Sequence, residues 1–295
     1  MSGLYKWNYK RIATLPSSLI LGPTDMVSLI TLSTLRQALV NVGIRPGDHV
    51  MLHVSVKSIG WLVGGPDIIV RAILDIITET GTLLMYCGWE DGPYTMEGWS
   101  REKKKAYYAE CPPYDLRLSR AVRAWGVVAE ILRRWPGTMR SSHPDSSFCA
   151  NGFYARYLTE NHPVYYGYGK DSPLEKLIQI GGKVLLLGAP FSSLTLLHHT
   201  EDRAVVLNKP VIRYAMPVKN EDGKTAWVDV EEFDTNRGIA PGILEPAVYF
   251  NEILFAFVYS FCVCEQLVGN ARTFLLEAPA LNRFAIHWME THLIR

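Results

Sequence analysis

The chain has 295 residues, 48% of them hydrophobic and 20% charged, with a formal net charge of +1. That length holds one or two domains with ample material for a core, and the near-neutral balance gives no electrostatic footprint for DNA or RNA. Five cysteines without a C-x-x-C pair (Cys87, Cys111, Cys149, Cys262, Cys264) fit reduced thiols in a reducing compartment better than a disulfide framework.

Residues 1–30 show no clear periodicity and are expected to be an N-terminal extension. Their only apolar centre, "LIL", is too short for a secretory h-region. "TLSTLRQALVNVG" follows as a helix capped at Thr31 or Ser33 and ended by Gly43. "HVMLHVSV" (His49 to Val56) reads as a buried strand and "KSIGWLVGG" as a loop. "PDIIVRAILDIITE" places Ile68, Ile69, Ala72, Ile73, Ile76 and Ile77 on one helical face, with Pro66 in its first turn. "GTLLMYC" is a second strand. Strand, Gly-rich loop, helix and strand make a βαβ unit, which favours an α/β fold. The expectation is one compact domain over 31–295 around a central, mainly parallel or mixed sheet.

From Gly88 to Tyr114 no period holds, and the aromatic content of this irregular insert suits a binding loop better than a disordered linker. Helices are expected at "RAVRAWGVVAEILRR" and "NGFYARYLTENH", a strand at "KVLLLGAP", and a β-hairpin over Val211 to Val230 turning at "NEDGK". The longest apolar run, "ILFAFVYSFCVC", has 12 residues. Spanning a bilayer takes about 20, so it is expected to be a core element of a soluble, cytoplasmic protein. "PALNRFAIHWMETHL" closes the chain as an amphipathic helix.

Three stretches offer chemistry. If "LTLLHHTED" is a helix starting near Ser193 or Thr195, His198 shares a face with Leu194, Glu201 and Asp202, and His199 with Thr195, Asp202 and Arg203. A histidine one turn from a carboxylate suits a general base. The same segment is open to two other readings, a metal pair lacking further ligands at matching spacing or a solvated face. His53, inside the first strand, is either a core histidine or a residue at a strand end where α/β sheets bind ligands. "HVSVKSIGWLVGGPD" and "RSSHPDSS" combine a cation with serines (Ser55, Lys57, Ser58; Arg140, Ser141, Ser142), a pattern that can hold a phosphate or merely form a turn. No G-x-S-x-G elbow is present, which weakens an α/β-hydrolase reading.

Taken together, "DHVMLHVSVKSIGWLVGGPDIIVRAI", "GTLLMYCGWEDGPY", "RSSHPDSSFCANG", "YGYGKDSPLEKLIQIGGKVLLLGAPFSSLTLLHHTED" and "VGNARTFLLEAPALNRFAIHWMETHL" resemble the aminoglycoside 3-N-acetyltransferase family, in order from about residue 31 to the end. The resemblance implies a catalytic domain that moves the acetyl group of acetyl-CoA to the 3-amine of a gentamicin-type antibiotic, without a metal. It implies His198 as base, Glu201 as its partner and His53 in the site, with His199 as a spare. Under it, Ser55, Lys57, Ser58, Arg140, Ser141, Ser142 and Thr195 are expected to hold coenzyme A. Carboxylates suited to a polycation are Glu90, Asp91, Asp171, Glu201, Asp202 and Asp234. The expected partners are the antibiotic and coenzyme A, with neither nucleic acid nor membrane, in a monomer or homodimer. A relative acting on another amine, or a metal-dependent hydrolase using "HHTED", are the alternatives.

Overall fold

The computed structural model describes residues 29–94, 96, 98–239 and 245–293. Most of the expected extension therefore lies outside the described residues. Its last two form a short strand, β1 (Leu29–Ile30), which leads into helix α1 (Leu32–Val42). The Thr31 hydroxyl accepts the Thr34 N–H while the Thr34 hydroxyl accepts the Thr31 N–H, a reciprocal cap that satisfies two orphan donors. Strand β2 (His49–Val54) ends two residues earlier than expected, because the chain winds into a single turn, α2 (Val56–Ile59), before β3 (Trp61–Leu62) pairs in parallel with β1. Helix α3 (Asp67–Ile77) buries Ile69, Val70, Ala72, Ile73, Ile76 and Ile77, and the chain returns as β4 (Thr82–Tyr86), parallel to β2. The βαβ unit is thus present.

The insert contains α4 (Arg101–Glu110), which buries none of its residues. The expected helix over 120–134 splits. Gly126 adopts φ +99°, outside the helical region, so a 3₁₀ turn at Arg123–Trp125 precedes α5 (Val127–Arg133). Strands β5 (Met139–Arg140) and β6 (Phe148–Gly152) follow; β6 takes the "NG" that the sequence reading placed in a helix, leaving only α6 (Ala155–Thr159). Helix α7 (Pro173–Gln179), β7 (Lys183–Leu187) and α8 (Leu196–Arg203) come next. The hairpin is β8 (Val211–Lys219) and β9 (Thr225–Phe233). The apolar run lies mostly in α9 (Pro246–Ser260), followed by β10 (Gln266–Val268), β11 (Ala271–Glu277) and α10 (Ala278–His292). Among the described residues no helix is long and apolar enough to cross a membrane.

Seven strands form one mixed sheet in the order β10-β11-β7-β2-β4-β6-β5, with β2 parallel to both β7 and β4 and the outer pairings antiparallel. Alternation along the strands feeds two cores. Met51, Leu84, Val184 and Leu186 pack with buried residues of α6 to α10, whereas Val50, Leu52, Leu83 and Leu185 pack with those of α1, α3 and α5. His53 shares the parity of Met51, which aims it toward the α8 side. The carboxyl ends of the three parallel strands open together, and β2 has its crossover neighbours on opposite sides, the position where α/β sheets hold ligands.

Candidate active site

A cleft of about 1000 Å³ lies at those strand ends. Val54 to Lys57, from the end of β2 into α2, and Arg123 to Val127, at the start of α5, contribute one group of lining residues; Tyr94, Asp145, Glu232 and Asn236 contribute another. His53, Tyr168, Ser193, Thr195 and His198 also line it. Cations and carboxylates are thus both present in one cavity.

Helix α8 carries the central pair. His198 Nδ1 lies 2.7 Å from Glu201 Oε2, one turn later on the same face. Glu201 is fully buried, and its other oxygen accepts the Tyr249 hydroxyl. The His198 ring sits between Tyr168 and Phe250, with centroids 5.4 and 5.2 Å away, and keeps 23% of its side chain accessible. Because the carboxylate takes the Nδ1 hydrogen, the imidazole lone pair falls on Nε2, which has no hydrogen-bond partner among the described residues. Lys209 closes the helix: its ammonium donates to the carbonyls of Glu201, Asp202 and Ala204, complementing the C-terminal end of the helix dipole.

His199 diverges from its neighbour. Its Nδ1 lies 2.8 Å from the Tyr168 carbonyl, the residue is buried, and burial lowers its pKa. The two histidines therefore do not converge on one point, as a metal pair would require. His53 lines the cleft with a buried Nε2 that has no hydrogen-bond partner. Burial, aided by the nearby His198, pushes its pKa down to about 4, so the ring is neutral at pH 7.

The acidic side was missed by the sequence reading. Asp145 and Glu232 both line the cleft. Burial first, and the charge of Glu232 second, push the Asp145 pKa up to about 7. The Tyr214 hydroxyl donates to Asp145 at 3.3 Å, and the Ser146 hydroxyl lies 3.3 Å from Glu232 Oε1. Among the described residues, Glu232 contacts His143 Nε2 at 2.9 Å, and neither carboxylate meets a lysine or arginine. Two crowded carboxylates without a fixed cation make a receptive place for one. A signal existed in the hairpin pattern: Glu232 has the parity of Val230, both buried, so an acid was placed on an inward face.

Of the residues expected for coenzyme A, Ser55, Lys57 and Thr195 line the cleft. Ser58 donates to the Ser55 hydroxyl at 2.8 Å and to the Gly188 carbonyl at 3.3 Å, and lines a smaller adjoining pocket. Arg140 requires correction. Its buried guanidinium is bonded to the Ser119 and Gly88 carbonyls and to the Ser147 hydroxyl, so it ties three loops together and does not line the cleft. Ser141 is buried as well, bonded to Phe148 N–H and His162, and exposed Ser142 is not a lining residue.

The expected substrate carboxylates are also mostly engaged elsewhere. Glu90 accepts the Arg123 N–H at 2.6 Å, and Asp91 pairs with Arg120 at 2.6 Å. Asp171 is exposed at φ +60°, and Asp202 packs beside Gly169. Asp234 accepts the N–H groups of Asn236 and Arg237 and shapes the turn after β9. None of these five lines the cleft, and Glu201 stands behind His198.

Over residues 51–290 the chain matches the family model described as aminoglycoside 3-N-acetyltransferase. It is 41% identical over 268 residues to aminoglycoside N(3)-acetyltransferase III of Pseudomonas aeruginosa, covering 91% of this chain and 96% of that one. Identity to the type VIII enzyme of Streptomyces fradiae is 40% over 267 residues, covering 90% and 93%. Among solved structures, AAC-IIIb in a binary complex with CoASH superposes with a TM-score of 0.84 at 38% identity, covering 90% of this chain and 98% of that one. AAC-VIa bound to sisomicin gives 0.83 at 30% identity, covering 91% and 100%.

Proposed function

The chain belongs to the aminoglycoside 3-N-acetyltransferase family and is an acyltransferase, and on that premise we propose that it acetylates the 3-amine of a 2-deoxystreptamine antibiotic with His198 as general base. One observation carries this reading: an imidazole with its Nδ1 hydrogen held by a buried carboxylate and its Nε2 unpartnered, in a cleft lined by both cations and acids.

The acceptor amine enters as part of a polycation. Asp145 and Glu232 are suited to hold its ammonium groups, whose charge also draws Asp145 into its ionised form. The phosphates of acetyl-CoA fit the Ser55, Lys57 and Arg123 side, and the AAC-IIIb relative was solved with CoASH. The reacting amine first loses one proton to solvent. Its nitrogen lone pair then attacks the thioester carbonyl while His198 Nε2 removes a second proton. As the tetrahedral adduct collapses, the carbon–sulfur bond breaks, the amide forms, and His198 returns that proton to the departing thiolate. His53, neutral and unpartnered, stabilises the oxyanion in the tautomer that carries hydrogen on Nε2. Such base assistance is worth about 10²–10⁴-fold. A cytoplasmic location belongs to the same proposal.

Thiol release from acetyl-CoA, followed with and without gentamicin, tests the reading, and NMR of the product identifies the acylated nitrogen. Release that depends on gentamicin, with the 3-amine acetylated, is the expected result. Equal release without the antibiotic, or acetylation only of a simple polyamine, would overturn it.

A further inference from the structure

Glu201 is sealed from solvent, and a carboxylate in that position needs both oxygens bonded. Oε2 lies on His198 Nδ1, and Oε1 accepts the hydroxyl of Tyr249 from α9. Tyr249 is itself fully buried, and its hydroxyl oxygen accepts the Ile239 N–H at 3.2 Å. The turn after β9 makes room for that hydroxyl. Gly238 lies there at φ +69°, and a Cβ on it would sit 2.6 Å from the Tyr249 oxygen. A backbone N–H, a tyrosine, a glutamate and the histidine thus form one chain of hydrogen bonds from β9 and α9 to the cleft.

We infer that Tyr249 is a positioning residue for the base: its hydroxyl fixes the Glu201 carboxylate so that Oε2 stays on His198 Nδ1 and the lone pair stays on Nε2. This rests on His198 being the base. The terminal torsion of a glutamate is broad and two-fold, so one anchored oxygen leaves the carboxylate free to turn. Anchoring the second removes that freedom. Without the hydroxyl, Oε1 becomes a buried acceptor with no donor, which the site relieves by rotating Glu201 away from His198 Nδ1. That rotation weakens the base without altering the walls that bind the two substrates. The groups facing His198 are His53 from β2, Tyr168 from the segment before α7, and Glu201 on its own helix; Tyr249 acts on Glu201 from α9.

Tyr249→Phe removes a single oxygen, and its readouts are the kcat and KM split, the pH profile and a thermal melt. The expected kcat falls about tenfold, the loss of one hydrogen bond to a charged group. Both KM values should stay within about twofold. The acid limb of kcat/KM should move to lower pH, since a turned Glu201 no longer favours the protonated form of His198 as strongly. Gly238→Ala, which crowds the hydroxyl, should shift the same limb in the same direction and decides the matter if Tyr249→Phe does not fold. An unchanged kcat and acid limb in Tyr249→Phe would overturn the inference. His198→Ala is run beside it: wild-type activity there sinks the base assignment itself, whereas inactivity there with an unchanged kcat and acid limb in Tyr249→Phe sinks only the role of Tyr249.

Discussion

Two histidine–glutamate contacts of nearly the same length each bring one residue to the cleft, His198 with Glu201 at 2.7 Å and His143 with Glu232 at 2.9 Å. Their ring nitrogens are used differently. His143 is fully buried; its Nδ1 accepts the N–H groups of Ser146 and Asp145, and its Nε2 also lies 3.1 Å from the Val164 carbonyl. That bonding assigns the hydrogen to Nε2, and no lone pair is left for chemistry. His198 has one nitrogen held and one open to the cleft. The contact alone does not define a base; an unoccupied ring position does.

Mutation should separate the two pairs, with the largest effect at His198. His198→Ala is expected to lower kcat by at least about 10²-fold while coenzyme A affinity, read by calorimetry, stays near wild type. His143→Ala should lower the melting temperature and raise the antibiotic KM, because it loosens the 143–146 turn and leaves Glu232 without its partner, yet saturating antibiotic should restore much of kcat. If His143→Ala instead loses kcat as deeply as His198→Ala with KM unchanged, the distinction fails. His53→Ala ranks next. Loss of one oxyanion donor should lower kcat by about tenfold or more, still short of the base, and leave both KM values alone.

Asp145 sharpens the comparison from the acidic side. Between pH about 4 and about 7 the unfolded carboxyl has released its proton while the folded one retains it. The unfolded state binds fewer protons across that window, so stability falls as pH rises through it. Asp145→Asn abolishes this term. The antibiotic-free variant should therefore melt higher than wild type at pH 8, with less of an advantage, or none, at pH 4, while its antibiotic KM rises about tenfold. Gentamicin should raise the wild-type melting temperature more at pH 8 than at pH 5, and the variant should lose most of that difference. Equal melting of the two proteins at pH 8 would argue that Asp145 carries no unfavourable charge in the empty cleft.

Much of this arrangement was legible in the sequence, for reasons that differ from part to part. Helix α3 announces itself through its isoleucine spacing, and His198 with Glu201 through the i, i+3 relation on a short helix; both are local properties of the chain. The antiparallel strands β6 and β11 were not legible, because their places in the sheet depend on β4 and β7, far away in sequence, and their five to seven residues are too short to set a period. Arg140 misled for a related reason. An arginine among serines looks the same whether it meets a phosphate or the Gly88 and Ser119 carbonyls; only the tertiary fold decides. Asp145 is next to Ser146, which lies 86 residues before Glu232, so the pairing of the two acids belongs to the fold and not to any motif.

The smallest effect is expected at Asp91, and it tests whether acid content or acid placement makes the acceptor wall. Asp91 and Asp145 are both aspartates in loops close to the cleft, and composition cannot rank them. Asp91 is half exposed and forms a two-point contact with Arg120, also half exposed, at 2.6 and 3.2 Å. Its charge is thus matched within the protein and screened by water, and a surface pair of this kind contributes about 0–1 kcal/mol. Asp145 is in neither situation. Asp91→Asn should therefore change the antibiotic KM by less than about twofold, with the residual effect shrinking further as salt rises. A KM increase comparable to that of Asp145→Asn, measured side by side at low salt, would mean that the 88–114 insert closes onto the acceptor and that Arg120 releases Asp91 when it does so.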